Sequence, residues 1–104
     1  MITQEKIEAV KNRIVDFMHP EKIIMFGSYA DGKANSNSDL DLLVIADSDL
    51  PPYKRVRPIK NKLRGIGFPV DILVYTPDEI EKWKNNPLAF VTKVIKNGVV
   101  LYGR

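Results

Sequence analysis

Apolar positions along the chain follow two periods. Between residues 3 and 18 they recur at helical spacing, and Ile7, Val10, Ile14 and Phe17 fall on one stripe. Thr3 is placed to cap this helix, Glu5 and Glu8 suit its first turns, and Ile2 and Ile7 occupy the two positions of a hydrophobic staple. Pro20 marks its end. Ile23-Ile24-Met25-Phe26 is a short apolar run halted by Gly27, which predicts a buried strand. Residues 39–46 (DLDLLVIA) and 69–75 (PVDILVY) predict two more strands, each with an acid set among alternating apolar residues. Val99 to Tyr102 is β-prone and predicts a short final strand.

The intervening segments are punctuated by turn residues. Residues 27–38 (GSYADGKANSNS) are small and polar and predict a loop, with room for a helical turn after Ser28. Ser36 and Ser38 read as loop or cap residues. In residues 51–66, Val56, Ile59, Leu63 and Ile66 share one helix face. Pro58 cannot donate a backbone hydrogen bond there, so the pattern predicts either a helix starting near Pro58 or an irregular turn over 51–57 before it. Thr76-Pro77-Asp78-Glu79 has the cap, first-turn proline and capping-box glutamate of a helix start. Asn86-Pro87 predicts the start of a last helix, ended by Gly98. Trp83 and Tyr102 read as packing residues, His19 as a helix-end cation or surface residue, and Tyr29 as either packing or loop chemistry.

Composition narrows the function classes. The 104 residues predict one domain, 1–104, with one modest core. Hydrophobic residues make up 44% and charged residues 28%, which argues against disorder. The longest apolar run is five residues, Leu42 to Ala46, too short to span a membrane. The start of the chain carries no secretory pattern, and a cytoplasmic location is the simplest expectation. The chain has no cysteine, which excludes thiolate metal sites and cysteine nucleophiles. Net charge is +3, too weak to imply nucleic-acid binding by itself. Lys54, Arg55, Arg57, Lys60, Lys62 and Arg64 form a run of cations with no acid among them. At 100° per residue these six flank the apolar face on both sides and do not form one stripe. They predict a solvated helix face, with a partner or nucleic-acid contact as the alternative.

Asp39-Leu40-Asp41 carries the chemical information. On a strand, residues two apart share a face, so both carboxylates project together while Leu40, Leu42 and Val44 point the other way. Two carboxylates this close repel unless a cation neutralises them. Mg²⁺ suits a site of one or two carboxylates completed by substrate phosphates. Asp71 has the same alternation around it and joins the pair if its strand is the neighbour. Gly27-Ser28 follows directly on a strand. Glycine lets the backbone approach a ligand, and a helical turn at Ser28 would offer free N–H groups to a phosphate.

Gly27-Ser28, ten residues, then Asp39-Leu40-Asp41 resembles the G-S-x₁₀-D-x-D signature of the polymerase-β-like nucleotidyltransferase superfamily. Asp71 in Pro69-Val70-Asp71-Ile72-Leu73-Val74 matches its third carboxylate. The size, the helix order and the ending Lys96-Asn97-Gly98-Val99-Val100-Leu101-Tyr102 are similar to the minimal nucleotidyltransferases. Family members often read Gly-Ser-x-Ala-Arg-Gly. This chain has Asp31 where that Arg stands, with Lys33 as a substitute cation.

The resemblance implies an α/β (α+β) fold with a mixed sheet, helices on one face and an open acidic face. It implies transfer of NMP from ATP or another nucleoside triphosphate to an acceptor hydroxyl. Asp39 and Asp41 would hold two Mg²⁺ ions, and Asp71 would hold one and help deprotonate the acceptor. Gly27 and Ser28 would hold the β,γ-phosphates. A dimer or a partner protein would supply the acceptor site, the partner being a HEPN-domain toxin for which minimal nucleotidyltransferases serve as antitoxins. The rival reading is a non-catalytic antitoxin that blocks its partner sterically, and a third is a nucleic-acid-binding domain resting on the 54–64 cations.

Overall fold

The structure is a computed structural model and describes residues 1–103. Helix α1 spans Gln4–Met18, and the Thr3 hydroxyl accepts from the Lys6 N–H at 3.2 Å as its cap. Ile7, Val10 and Ile14 are buried as the periodicity predicts. Phe17 is not: it lies at the last turn, 39% exposed, with Lys62 Nζ 5.2 Å from its ring centroid. His19 leaves α1 in the left-handed conformation, so its place is a chain reversal.

Strands β1 (Lys22–Phe26), β2 (Leu40–Ile45), β3 (Val70–Tyr75) and β4 (Val99–Tyr102) form one sheet in the order β3-β2-β1-β4. β1 pairs antiparallel with both β2 and β4, while β2 and β3 run parallel. A parallel pair needs a crossover. Helix α3 (Pro52–Lys62) supplies it.

Alternation along β2 sends its residues to two different layers. Leu40, Leu42, Val44 and Ala46 pack with Ile7, Val10 and Ile14 of α1 and Ile59 and Leu63 at α3. Leu43 and Ile45 pack with Ile24 of β1 and with Val91 and Val94 of helix α5 (Phe90–Asn97). Burial on both sides explains why 42–46 is continuously apolar. Helices therefore stand on both faces. The larger layer covers the face away from the acids, and α5 covers the far part of the acidic face, leaving the end with the aspartates open.

Two helix boundaries differ from the sequence reading. α3 runs through Pro58, starting six residues before it and ending at Lys62. The proline removes the hydrogen bond to the Lys54 carbonyl, and Lys54 lies on the exposed side where water can replace it. Asn86-Pro87 does not start α5. The Asn86 carboxamide oxygen accepts from the Leu88 N–H at 3.0 Å and the Asn86 carbonyl accepts from the Ala89 N–H at 3.1 Å, which makes a turn. The helix begins at Phe90.

Arg55 leaves the cation run. It is buried, donating from Nε to the Leu50 carbonyl at 2.9 Å and from Nη1 to Glu79 Oε1 at 2.7 Å and the Val74 carbonyl at 3.3 Å. Glu79 also accepts from the Thr76 N–H at 2.8 Å in the predicted capping box of α4 (Pro77–Trp83). One guanidinium thus joins the entry to α3, the end of β3 and the start of α4. Trp83 does not pack as predicted; it is 40% exposed with Lys82 Nζ 5.8 Å from its ring.

Candidate active site

The candidate site is built where β1 ends and β2 and β3 begin. The parallel register places Asp41 opposite Asp71, and the antiparallel register places Asp41 opposite Phe26, the residue before Gly27. Neighbouring strands lie about 4.8 Å apart, and same-register side chains share a face. Phe26, Asp41 and Asp71 therefore stand in a row across the sheet, with Gly27 one residue on from Phe26 and against the Asp41 side chain. Both carboxylates lie on the face of Leu43 and Leu73, where the α5 layer stops. The Leu40 N–H donates to the Pro69 carbonyl at 3.2 Å and holds the two acidic strand starts in register.

Gly27 is required twice over. Its backbone has φ 72° and ψ −152°, a region that L side chains rarely adopt. A Cβ there would collide with Asp41 Oδ2. The carboxylate rests against the glycine backbone, and the chain then turns into the single helical turn α2 (Ser28–Asp31). The Asp31 N–H donates to the Gly27 carbonyl at 3.0 Å and the Lys33 N–H to the Ser28 carbonyl at 2.9 Å. The Tyr29 hydroxyl accepts from the Ile2 N–H at 2.9 Å, so Tyr29 anchors this loop to the start of α1.

Asp41 carries the electrostatic signature. Its pKa is raised above the usual carboxylate value, first by burial, then by the charges of Asp71 and Asp39, and last by the closeness of the Asp71 side chain. Asp39 sits just before β2 and is exposed. It is delivered by a tight turn in which the Asn35 N–H donates to Ser38 Oγ at 2.9 Å and the Ser38 N–H to the Asn35 carbonyl at 3.1 Å. Among the described residues, no three acidic or imidazole side chains close on one point as a ready metal cage. The close pair is Asp41 and Asp71, with Asp39 at the rim. Two hard carboxylates on adjacent strands fit Mg²⁺, which takes one or two carboxylates and leaves the remaining positions to phosphate and water.

A cleft of about 240 Å³ opens beside Gly27, between α2 and α5. Asp31 lines one side and Lys93 and Asn97 the other, with Phe90 packed edge-on against Phe26 at 5.6 Å. Lys93 lies outside every motif of the sequence. No local pattern marks it, because only the packing of α5 brings it beside Gly27.

Residues 5–102 match the sequence family described as the nucleotidyltransferase domain. A protein of Methanocaldococcus jannaschii named "putative protein adenylyltransferase" is 34% identical over 83 residues, covering 79% of this chain and 78% of that protein. Two solved structures share the fold. A "putative nucleotidyltransferase" of Sulfolobus solfataricus superposes with a TM-score of 0.67 at 20% identity, covering 96% of this chain and 79% of its own. A chain from a toxin–antitoxin complex with AMP-PNP gives 0.64 at 21% identity, covering 95% and 73%. With the family matched over nearly the whole chain, this protein belongs to the nucleotidyltransferase domain family and is a nucleotidyltransferase of polymerase-β-like fold.

Proposed function

We propose that this nucleotidyltransferase moves AMP from ATP to a hydroxyl on a partner protein, as the antitoxin of a HEPN-domain toxin. The observation that carries the reading is the Asp41–Asp71 pair on adjacent parallel strands, resting on Gly27 at an open sheet end. The name of the M. jannaschii relative and the nucleotide analogue in the toxin–antitoxin structure support the adenylate and the partner.

Asp41 and Asp71, with Asp39 at the rim, would hold two Mg²⁺ ions. When bound, these supply charge neutralisation to the triphosphate and acidity to the attacking hydroxyl. Gly27 leaves room for a phosphate to lie against its backbone, and Ser28 adds a hydroxyl donor to the β,γ-phosphates. The acceptor oxygen bonds to the α-phosphorus as the bond to the β-phosphate oxygen breaks. Pyrophosphate leaves, and Asp71 takes the acceptor's proton. Positioning and charge neutralisation carry such a reaction without a covalent enzyme intermediate. The acids stand at an open end of the sheet, so a protein surface can reach them.

One observation favours the rival, a binding module that blocks its toxin sterically: Asp31 places a negative charge in the cleft beside Gly27. Labelled ATP, Mg²⁺ and the protein encoded next to this chain decide between them. Label on the partner that vanishes with Asp41→Asn supports transfer. Tight partner binding with no label supports steric block.

A further inference from the structure

The outer face of α3 carries a second surface, in the helical layer behind the sheet and away from Asp41. Because α3 runs unbroken through Pro58, residues 53, 54, 57, 60 and 61 fall within about 120° of one another at 100° per residue. They are Tyr53, Lys54, Arg57, Lys60 and Asn61, all exposed. Three cations, Lys54, Arg57 and Lys60, therefore do form one stripe; Lys62 and the buried Arg55 point elsewhere, and Arg64 lies in the turn after the helix. Ion pairs among the described residues engage Lys11, Arg55 and Lys84, and none engages this stripe. No acid occurs between Asp49 and Asp71. Tyr53, Lys54, Arg57 and Asn61 line one groove of about 580 Å³. Tyr53 is 80% exposed, and Lys54 Nζ lies 5.8 Å from its ring centroid.

We infer that this groove binds single-stranded nucleic acid. The cations recur about once per turn, a rise of roughly 5.4 Å, and complement a run of backbone phosphates. The exposed ring offers a face on which a base can stack, and the Asn61 carboxamide offers a donor and an acceptor to a base edge. An acidic peptide would use the cations and leave ring and amide idle. The inference is independent of the transferase reading, since the surface lies on the other side of the sheet.

The test is fluorescence anisotropy of a short labelled single-stranded RNA of mixed sequence with the full chain, over a range of salt. Binding should weaken with salt at a slope of about −0.7 per phosphate neutralised. Arg57→Ala should flatten the slope by about that amount. Tyr53→Ala should weaken binding about five-fold or more and leave the slope unchanged. Circular dichroism of both variants should match wild type, because both residues are exposed. Absence of binding at low salt overturns the inference. So does wild-type affinity in Tyr53→Ala, or equal affinity for poly-glutamate, which would make this a surface for acidic proteins.

Discussion

Gly27→Ala tests the site at its tightest point. The new methyl group meets Asp41 Oδ2 well inside van der Waals contact, and the φ of 72° disfavours any side chain. The backbone strain is worth about 1–3 kcal/mol. The collision is relieved by swinging the Asp41 carboxylate off the glycine, away from Asp71, or by turning the 27–28 peptide. Either movement dislocates the proposed metal and phosphate positions. A misplacement on the order of 1 Å costs about 10²-fold in rate, so AMP transfer should fall by about two decades. The strain should also lower Tm by about 4–8 °C per kcal/mol in a domain of this size. Three readouts separate the parts: transfer of labelled AMP, Mn²⁺ affinity by titration calorimetry, and thermal melting. Wild-type transfer and an unchanged Tm would refute the packing of Asp41 on Gly27. Lost transfer with Mn²⁺ affinity intact would refute the placement of the metal at Asp41.

Other outcomes follow from the charges. With its pKa raised, Asp41 holds its proton to higher pH than an ordinary aspartate, so Mn²⁺ affinity should begin to fall, as pH drops, before an unperturbed carboxylate would protonate. Asp71→Asn removes a neighbouring charge and should lower the Asp41 titration midpoint followed by carboxyl NMR, while burial keeps part of the elevation; an unmoved midpoint would contradict the pairing. Arg55→Met leaves two carbonyls and Glu79 without their donor and should cost about 2 kcal/mol in urea unfolding, discounted because the Glu79 side chain is 32% exposed. The Glu79 pKa is lowered, chiefly by its hydrogen bond from Arg55, so this stabilisation is present above the unfolded value near 4.5 and lost as pH falls through the lowered folded value. Glu79→Gln should therefore be weaker than wild type at neutral pH and equal to it in strong acid. Asp31→Arg should tighten ATP binding by up to about five-fold, roughly 1 kcal/mol of charge-assisted contact; calorimetry showing weaker binding would remove the phosphates from that cleft.

The four strands, the capped starts of α1 and α4, and the row of acids were legible in the sequence because they rest on local rules. Strand alternation puts Asp71 on a defined face, and a glycine between an apolar run and a polar turn marks a chain reversal. Gly27-Ser28 and Asp39-Leu40-Asp41 are informative in one dimension, since their spacing is that of a strand, a loop and a strand. Tertiary structure alone decided the rest. The register that sets Asp41 against Asp71 depends on α3 crossing between two parallel strands. The removal of Arg55 from a solvated run depends on Glu79 and two carbonyls arriving from elsewhere. The passage of α3 through Pro58 depends on which side of the helix faces water, and the place of Lys93 beside Gly27 on how α5 seats over β1. A local pattern states which way a side chain leaves its own element. What it meets there is set by packing between elements distant in sequence, and no window along the chain contains both partners.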